Sequence, residues 1–317
     1  MEDITKIPDS EAGNRLDKAI SALYPDYSRA RLQQWIRDGS ILINGLSRKP
    51  KDKVKGGETV EINVELEEVV VWQPQILPLV ILYEDEDLIV VNKPAGLVVH
   101  PGVGNKDNTL VNALLHHAPE LAQLPRAGII HRIDKETSGV LVVARSLKAH
   151  TFLVKQLQLH EFDREYQAIT TGTLIAGGTI DAPMGRHPIH RTRMAVVDIQ
   201  KGKSAITHYR IIKRFRAHTH IRVHLETGRT HQIRVHMAYK RHPLVGDPVY
   251  GGRLKIPPKS TDSFKESLRK FPRQALHAIR LGFLHPKTKE KMEWTAALPN
   301  DMQELLAVLE EDKQANS

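Results

Sequence analysis

Residues 131 to 139, HRIDKETSG, place one carboxylate, Asp134, between Arg132 and Lys135, just ahead of the apolar run GVLVVA at 139 to 144. An anion at the entrance to a buried strand needs ionic or hydrogen-bonded partners, because leaving it unpaired costs several kcal/mol of desolvation. Held in that way, a carboxylate can serve as a nucleophile or a general base. A further cation must come from elsewhere in the chain. The stretch HLETGRTHQIRVHMAYKRHPLVGDPVYGG, residues 224 to 252, is the candidate source. Thr230 is placed to cap a helix through HQIRVHMAYK, with Gln232, His236 and Lys240 on one side and Arg234 on another. One of those faces is expected to lie buried against Asp134.

Other chemistries fit poorly. The kinase loop His-Arg-Asp is spaced differently, no Asp-Phe-Gly follows, and neither a Walker A loop nor a dinucleotide-binding glycine fingerprint occurs. The 17 histidines invite a metal reading, above all His218, His220, His224, His231 and His236. Yet His220, Arg222 and His224 alternate with Ile221, Val223 and Leu225, the pattern of a strand with one polar face. No His-Glu-x-x-His element is present, and cationic neighbours oppose a divalent ion, so no metal site is expected.

The elements that would position Asp134 come from apolar runs of strand length at 79–84, 87–94, 139–144, 165–174, 205–212 and 220–226. Some are separated by helical patterns, notably 147–160 after Ser146. Strands and helices do not alternate regularly, which disfavours a doubly wound sheet and predicts an α+β domain with a mixed, largely antiparallel sheet and flanking helices. With 317 residues, 40% of them hydrophobic, the chain can hold this core and a small accessory domain. The boundaries expected are a flexible tail at 1–13, an accessory domain and linker at 14–75, the larger domain at 76–302, and a C-terminal helix or tail at 303–317. Without cysteine, disulfides and thiolate metal sites are excluded. The polar N-terminus and the lack of any long apolar window point to a soluble, cytoplasmic protein with no membrane partner.

Charge points to a polyanion. The chain carries a formal +9, and residues 28–55 alone hold eight cations, among them Arg29, Arg31, Arg37, Arg48, Lys49, Lys51 and Lys53, against Asp38 and Asp52. Ser28 is placed to cap a helix carrying Leu32, Trp35 and Ile36, Gly39 to stop it, and strands follow at 41–45 and 59–64. From Arg15 to Val64 the segment resembles the S4 RNA-binding module, in RLDKAISAL, SRARLQQWI and GSILING. A second basic stretch, 252–273, has seven cations against Asp262 and Glu266 and reads either as a loop and short helix clamping RNA or as a disordered insertion.

HRIDKETSG at 131–139, REYQA at 164–168, TGRTHQIRVH at 227–236 and ALHA at 275–278 occur together in this order. Over roughly residues 80 to 300 the chain thereby resembles the pseudouridine synthases that modify large-subunit ribosomal RNA and some transfer RNAs. It departs from the common pattern at Ile133 and Glu136, each a substitution that keeps chemical type. The resemblance implies that Asp134 is the catalytic carboxylate, Arg234 the arginine paired with it, and Tyr166 the active-site tyrosine. It also implies that Arg132 enters the RNA stack as the target nucleotide flips out, and that Leu276 walls the base pocket. It implies no cofactor, a monomer, and large-subunit (23S) ribosomal RNA or an assembling 50S particle as partner, with uridines of the helix 69 stem-loop as targets. The competing expectation is a catalytically inactive S4-containing RNA-binding or assembly factor. The joint presence of Asp134, Tyr166 and Arg234 favours the enzyme.

Overall fold

The computed structural model describes residues 2–25, 27, 29–64, 72–102 and 104–316, with the side chains of Glu2, Ala30 and Arg31 left aside. The chain divides into two compact units between residues 71 and 72.

In the first unit, β1 (Glu2–Lys6), α1 (Leu16–Leu23), α2 (Arg29–Asp38), β2 (Ile41–Ile43) and β3 (Thr59–Asn63) surround one apolar core. The strands pair antiparallel in the order β1-β3-β2. Leu16, Ala19 and Ile20 of α1 meet Leu32 and Ile36 of α2 over Ile41, Val60 and Ile62, so the two helical stripes and the alternating strand residues share one interior. Gly39 ends α2 with φ +83°, a backbone state that glycine enters without steric cost. Ser28, the expected cap, lies outside the described residues. The flexible tail expected at 1–13 is overturned: Glu2–Lys6 adds an edge strand to β3, and Ile7 is buried. The pairing partner lies more than fifty residues downstream, where local patterning gives no hint of it.

The second unit runs from Trp72. Its elements are β4 (Ile81–Glu84), β5 (Leu88–Lys93), α3 (Leu110–His117), β6 (Ser138–Ala144), α4 (Leu147–Gln158), β7 (Asp163–Thr171), β8 (Gly178–Asp181), β9 (Met184–Arg186) and β10 (Met194–Val196). There follow β11 (Ile206–Arg214), β12 (His218–Leu225), α5 (Gln232–Tyr239), α6 (Asp262–Lys270), β13 (Leu276–Leu284), β14 (Lys291–Thr295) and α7 (Asn300–Gln314). The main sheet has the order β4-β5-β6-β13-β7-β12-β11-β8, with β14 also paired to β13. Every pairing is antiparallel except β6 with β13, so the sheet is mixed and largely antiparallel, and the fold is α+β. Ser146 caps α4 by accepting from the Ala149 amide, as its position predicts.

Of the linker expected at the end of the 14–75 segment, residues 65–71 fall outside the described residues. From Trp72 on, the chain packs: Trp72 lies against the main core, and the Gln75 amide bonds the Asn112 carbonyl. At the C-terminus the helix alternative holds: α7 begins at Asn300, a few residues ahead of the expected 303, and buries Met302, Leu305 and Leu309 against Phe264 and Leu268 of α6. Those contacts also settle the second basic stretch as an ordered loop and helix. Its Arg273 is buried and bidentate to Asp301, which removes it from any RNA-facing set. Among the described residues no helix is long and apolar enough to cross a membrane.

Candidate active site

The segment 131–137 crosses the end of the sheet into β6, which is buried along its whole length. Three long cations pin it. Lys93, at the end of β5 and fully buried, donates from Nζ to the carbonyls of Pro94, Leu97 and Lys135 at 2.8–2.9 Å. Burial pushes its pKa down to about 7, against the pull of Glu136 and Asp134. Arg273 donates to the Glu136 carbonyl at 3.1 Å. Arg234 reaches Asp134 itself, Nη1 to Oδ2 at 3.0 Å.

Arg234 in turn is held from behind. Its Nε and Nη2 donate to the two oxygens of Asp247 at 2.8 and 3.0 Å, and Asp247 Oδ1 also accepts from the Val249 and Tyr250 amides. Burial raises the Asp247 pKa, but the Arg234 bonds and charge and the two amides outweigh it and leave the carboxyl below its ordinary value. The Tyr250 ring lies 5.1 Å from the guanidinium carbon. A fork locked at one end presents its remaining donor to Asp134 in a fixed direction.

The helix that carries Arg234 starts differently from expectation. Thr230 is not its cap; His231 holds that place in a left-handed conformation, φ 57°, and the Gln232 side chain reaches back to accept from the Arg229 amide and the Thr227 hydroxyl. Nor does α5 bury one face alone, since residues 232 to 237 are all buried. His231 nevertheless comes to the site. Its Nδ1 lies 2.9 Å from the Tyr250 hydroxyl and its Nε2 3.9 Å from Asp134. The Tyr250 oxygen already accepts from the Met194 amide, which favours the phenol donating to Nδ1 and leaves the proton of His231 on Nε2, facing the carboxylate.

A cavity of about 500 Å³ opens over this group, lined by Arg132, Asp134, Arg164, Tyr166, Arg234 and Leu276 among others. Tyr166 and Leu276 are buried in its wall, on the adjacent strands β7 and β13, and Arg132 is exposed at its mouth. Burial raises the Tyr166 pKa; the Arg164 charge opposes the rise and Asp134 adds to it. The five residues singled out beside the cavity are thus brought together. The five histidines read as metal candidates are not: His236 bonds Thr207 and the Ala182 carbonyl, His220 Gln167, His224 Asp163, and His218 packs on Phe264. Among the described residues no group of three or more metal-binding side chains converges.

The cations of residues 28–55 lie in the first unit and are not equivalent. Arg29 turns to Asp17, a fully buried carboxylate that also binds Arg15 and Gln33. Burial opposes the Asp17 charge, but these three partners hold its pKa well below the ordinary range. Arg29 therefore has a structural bond to lose, whereas Arg37, Lys49, Lys51 and Lys53 are solvent-facing and Arg48, also exposed, is tied to half-buried Asp52 and to the Lys53 carbonyl. The Arg31 side chain is outside the description.

Residues 87–239 match the RNA pseudouridylate synthase family and residues 14–60 the S4 domain. The chain belongs to the RNA pseudouridylate synthase family and is an enzyme of that class, with an S4 domain ahead of the catalytic one. It is 54% identical to the ribosomal large subunit pseudouridine synthase D of Escherichia coli K12, over 96% of this chain and 94% of that one. To the protein of that name from Pseudomonas aeruginosa it is 52% identical over 98% and 96%. The solved human RNA pseudouridylate synthase domain containing 4 shares the fold, with a TM-score of 0.57 at 24% identity over 73% of this chain and 93% of that one.

Proposed function

We propose that this enzyme isomerises uridines of large-subunit ribosomal RNA to pseudouridine, with Asp134 as the reacting carboxylate and uridines of the helix 69 stem-loop as targets. The observation that carries the reading is the Asp247–Arg234–Asp134 line, which holds a partly exposed carboxylate at the floor of a cavity walled by Tyr166 and Leu276. The reaction breaks the bond from ribose C1′ to uracil N1, turns the base, and rejoins it through C5 without redox change. Asp134 either attacks C1′ or takes the proton from C2′, and Arg234 fixes its direction in both routes. Tyr166 offers a face for the uracil and a phenol near C5. Arg132, at the mouth, fills the stack that the flipped nucleotide leaves. The solvent-facing cations Arg37, Arg48, Lys49, Lys51 and Lys53 bind phosphates of free ribosomal RNA or an assembling 50S particle.

Asp134→Asn is the direct test. The amide is nearly isosteric but is neither a comparable nucleophile nor a base, so the fold and RNA affinity should persist while tritium release from C5-labelled uridine stops. Turnover close to wild type would remove Asp134 from the chemistry. Mapping pseudouridines in ribosomal RNA from a deletion strain reads the targets, and helix 69 pseudouridines that persist in that strain would exclude that site.

A further inference from the structure

We infer that Arg164 stabilises the negative charge that passes to the uracil when the C1′–N1 bond breaks. The inference rests on the isomerase reading above and adds to it a second charged group that touches the base.

Arg164, Tyr166 and Ala168 are alternate residues of β7 and share its buried face, and Arg164 and Tyr166 both line the cavity that holds Asp134. The Arg164 side chain is 6% exposed, yet it has no carboxylate partner among the described residues. Its acidic neighbours Asp163 and Glu165 pair elsewhere, with His224, Arg222 and Arg280. Only Nη2 is engaged, donating to the carbonyls of Glu226 at 2.9 Å and Leu225 at 3.5 Å. Nε is closed off from solvent with no acceptor, and Nη1 lies against Gly228, where an added Cβ would come within 2.6 Å of it. A buried cation with unspent donors and no counter-ion is expensive to keep. A cavity that meets an anion during its working cycle recovers that cost.

The reaction supplies one. As C1′–N1 breaks, the bonding pair stays on N1 and the base becomes uracilate, its charge spread over N1, O2 and O4. If Asp134 bonds to C1′, its charge is lost in the ester; if it takes the C2′ proton, the C2′–H pair becomes the C1′–C2′ double bond and the carboxyl is neutral. In both routes one negative charge moves from Asp134 to the detached base. Rejoining returns it: C5 bonds to C1′ as the ester C1′–O bond breaks or as the carboxyl gives its proton back to C2′, which sets the carboxylate free in either route, and the C5 proton is then lost to solvent while N1 takes one up. Arg234 attends the charge before the transfer, and Arg164, beside Tyr166, attends it afterwards. A preorganised donor aimed at charge that appears only in the transition state acts on the rate and not on ground-state binding. Arg132, exposed at the mouth, is the better match for a permanently charged phosphate.

The test varies the leaving group. Fluorine at C5 withdraws electrons and makes uracil a better leaving group, so ribosomal RNA transcripts made with uridine or with 5-fluorouridine are compared in single turnovers at saturating RNA, following consumption of the nucleoside by mass spectrometry. Arg164→Gln should slow the uridine transcript by roughly 100-fold, the usual effect of removing one such donor, leave RNA affinity unchanged, and show a much smaller deficit on 5-fluorouridine. Arg164→Lys should recover part of the rate. Should Arg164→Gln fail to fold, Gly228→Ala keeps the charge but displaces Nη1, and the same narrowing of its deficit on 5-fluorouridine is expected. Equal deficits on both transcripts, or a loss confined to affinity, would overturn the inference. An active Asp134→Asn would sink the carboxylate reading without touching the Arg164 comparison, whereas a wild-type enzyme that consumes neither transcript would sink both.

Discussion

Asp247→Asn isolates the brace behind Arg234. Both charges are out of solvent, with Asp247 at 0% and Arg234 at 5% exposure. Removing one member of a buried pair costs about 3–5 kcal/mol because the other charge stays behind. Here Asp134 remains 3.0 Å from Nη1, and the amide oxygen can still accept from the Val249 and Tyr250 amides, which puts the loss near the lower end, about 3 kcal/mol. Two of the three ionic hydrogen bonds on the guanidinium go to Asp247 and one to Asp134, so loss of the fork lets Arg234 swing. A misplacement of about 1 Å at a reacting group costs roughly 100-fold in rate. Denaturant melts read the first effect, and single-turnover tritium release at saturating RNA reads the second. The folded pKa of Asp247 lies below the ordinary carboxylate value, so its contribution is whole above about pH 4 and fades as pH falls through the folded value. Wild type and variant should therefore converge in stability at strongly acid pH. A variant within about 1 kcal/mol of wild type at neutral pH, with an unchanged rate, would show that Asp247 does not hold the arginine.

Two further outcomes are expected. Burial lowers the His218 pKa from 6.5 to about 4, with Asp312 opposing, so the unfolded chain takes up a proton there that the folded one refuses. Stability should fall as pH drops from about 6.5 towards 4, by up to roughly 3 kcal/mol from this residue, and urea melts of His218→Phe across that range should show a shallower slope. The combined change of Lys49, Lys51 and Lys53 to glutamine should flatten the salt dependence of RNA binding by about two in the log–log slope, if the contacts are to single-stranded phosphates, while leaving the single-turnover rate at saturation intact. An unchanged slope would exclude these lysines from the RNA surface.

What the sequence made legible tracks how local the cause is. Strands β5, β6 and β12 stand out as apolar or alternating runs, and Ser146 marks the start of α4 because capping involves residues only three apart. Strand β1 and the central strand β13 escaped; β1 is defined by a partner far along the chain, and β13, although it forms a local hairpin with β14, owes its central place to the distant strands β6 and β7. Asp134 and Arg234 are 100 residues apart, and their pairing was accessible only through a resemblance that spans both motifs. Asp247 was in plain view within LVGDPVY, where an acid flanked by apolar residues signals a need for a cation, but no pattern says which one. Lys93 and Arg273 read as ordinary basic residues, one at the end of a strand and one in a charged stretch. That each of them also reaches a backbone carbonyl of the 131–137 segment depends on tertiary geometry that side-chain patterning does not encode.

The position of β13 bears on when this enzyme can first work. Strands β4, β5 and β6 form one half of the sheet and β7, β12, β11 and β8 the other, and the strand that joins them is made only from residue 276 onward. Asp134 leads into the first half, while Tyr166 lies in the second and Arg234 follows it, so neither half alone holds the site. Asp301, which clamps Arg273 and through it the Glu136 carbonyl, comes later still. A chain that reached only residue 275 would lack the strand that joins its two half-sheets, and with it the Leu276 wall of the cavity. Joining them late, through long-range pairing, is a slow kind of closure. Until β13 pairs with both β6 and β7, Asp134 and Tyr166 belong to half-sheets that no strand holds together.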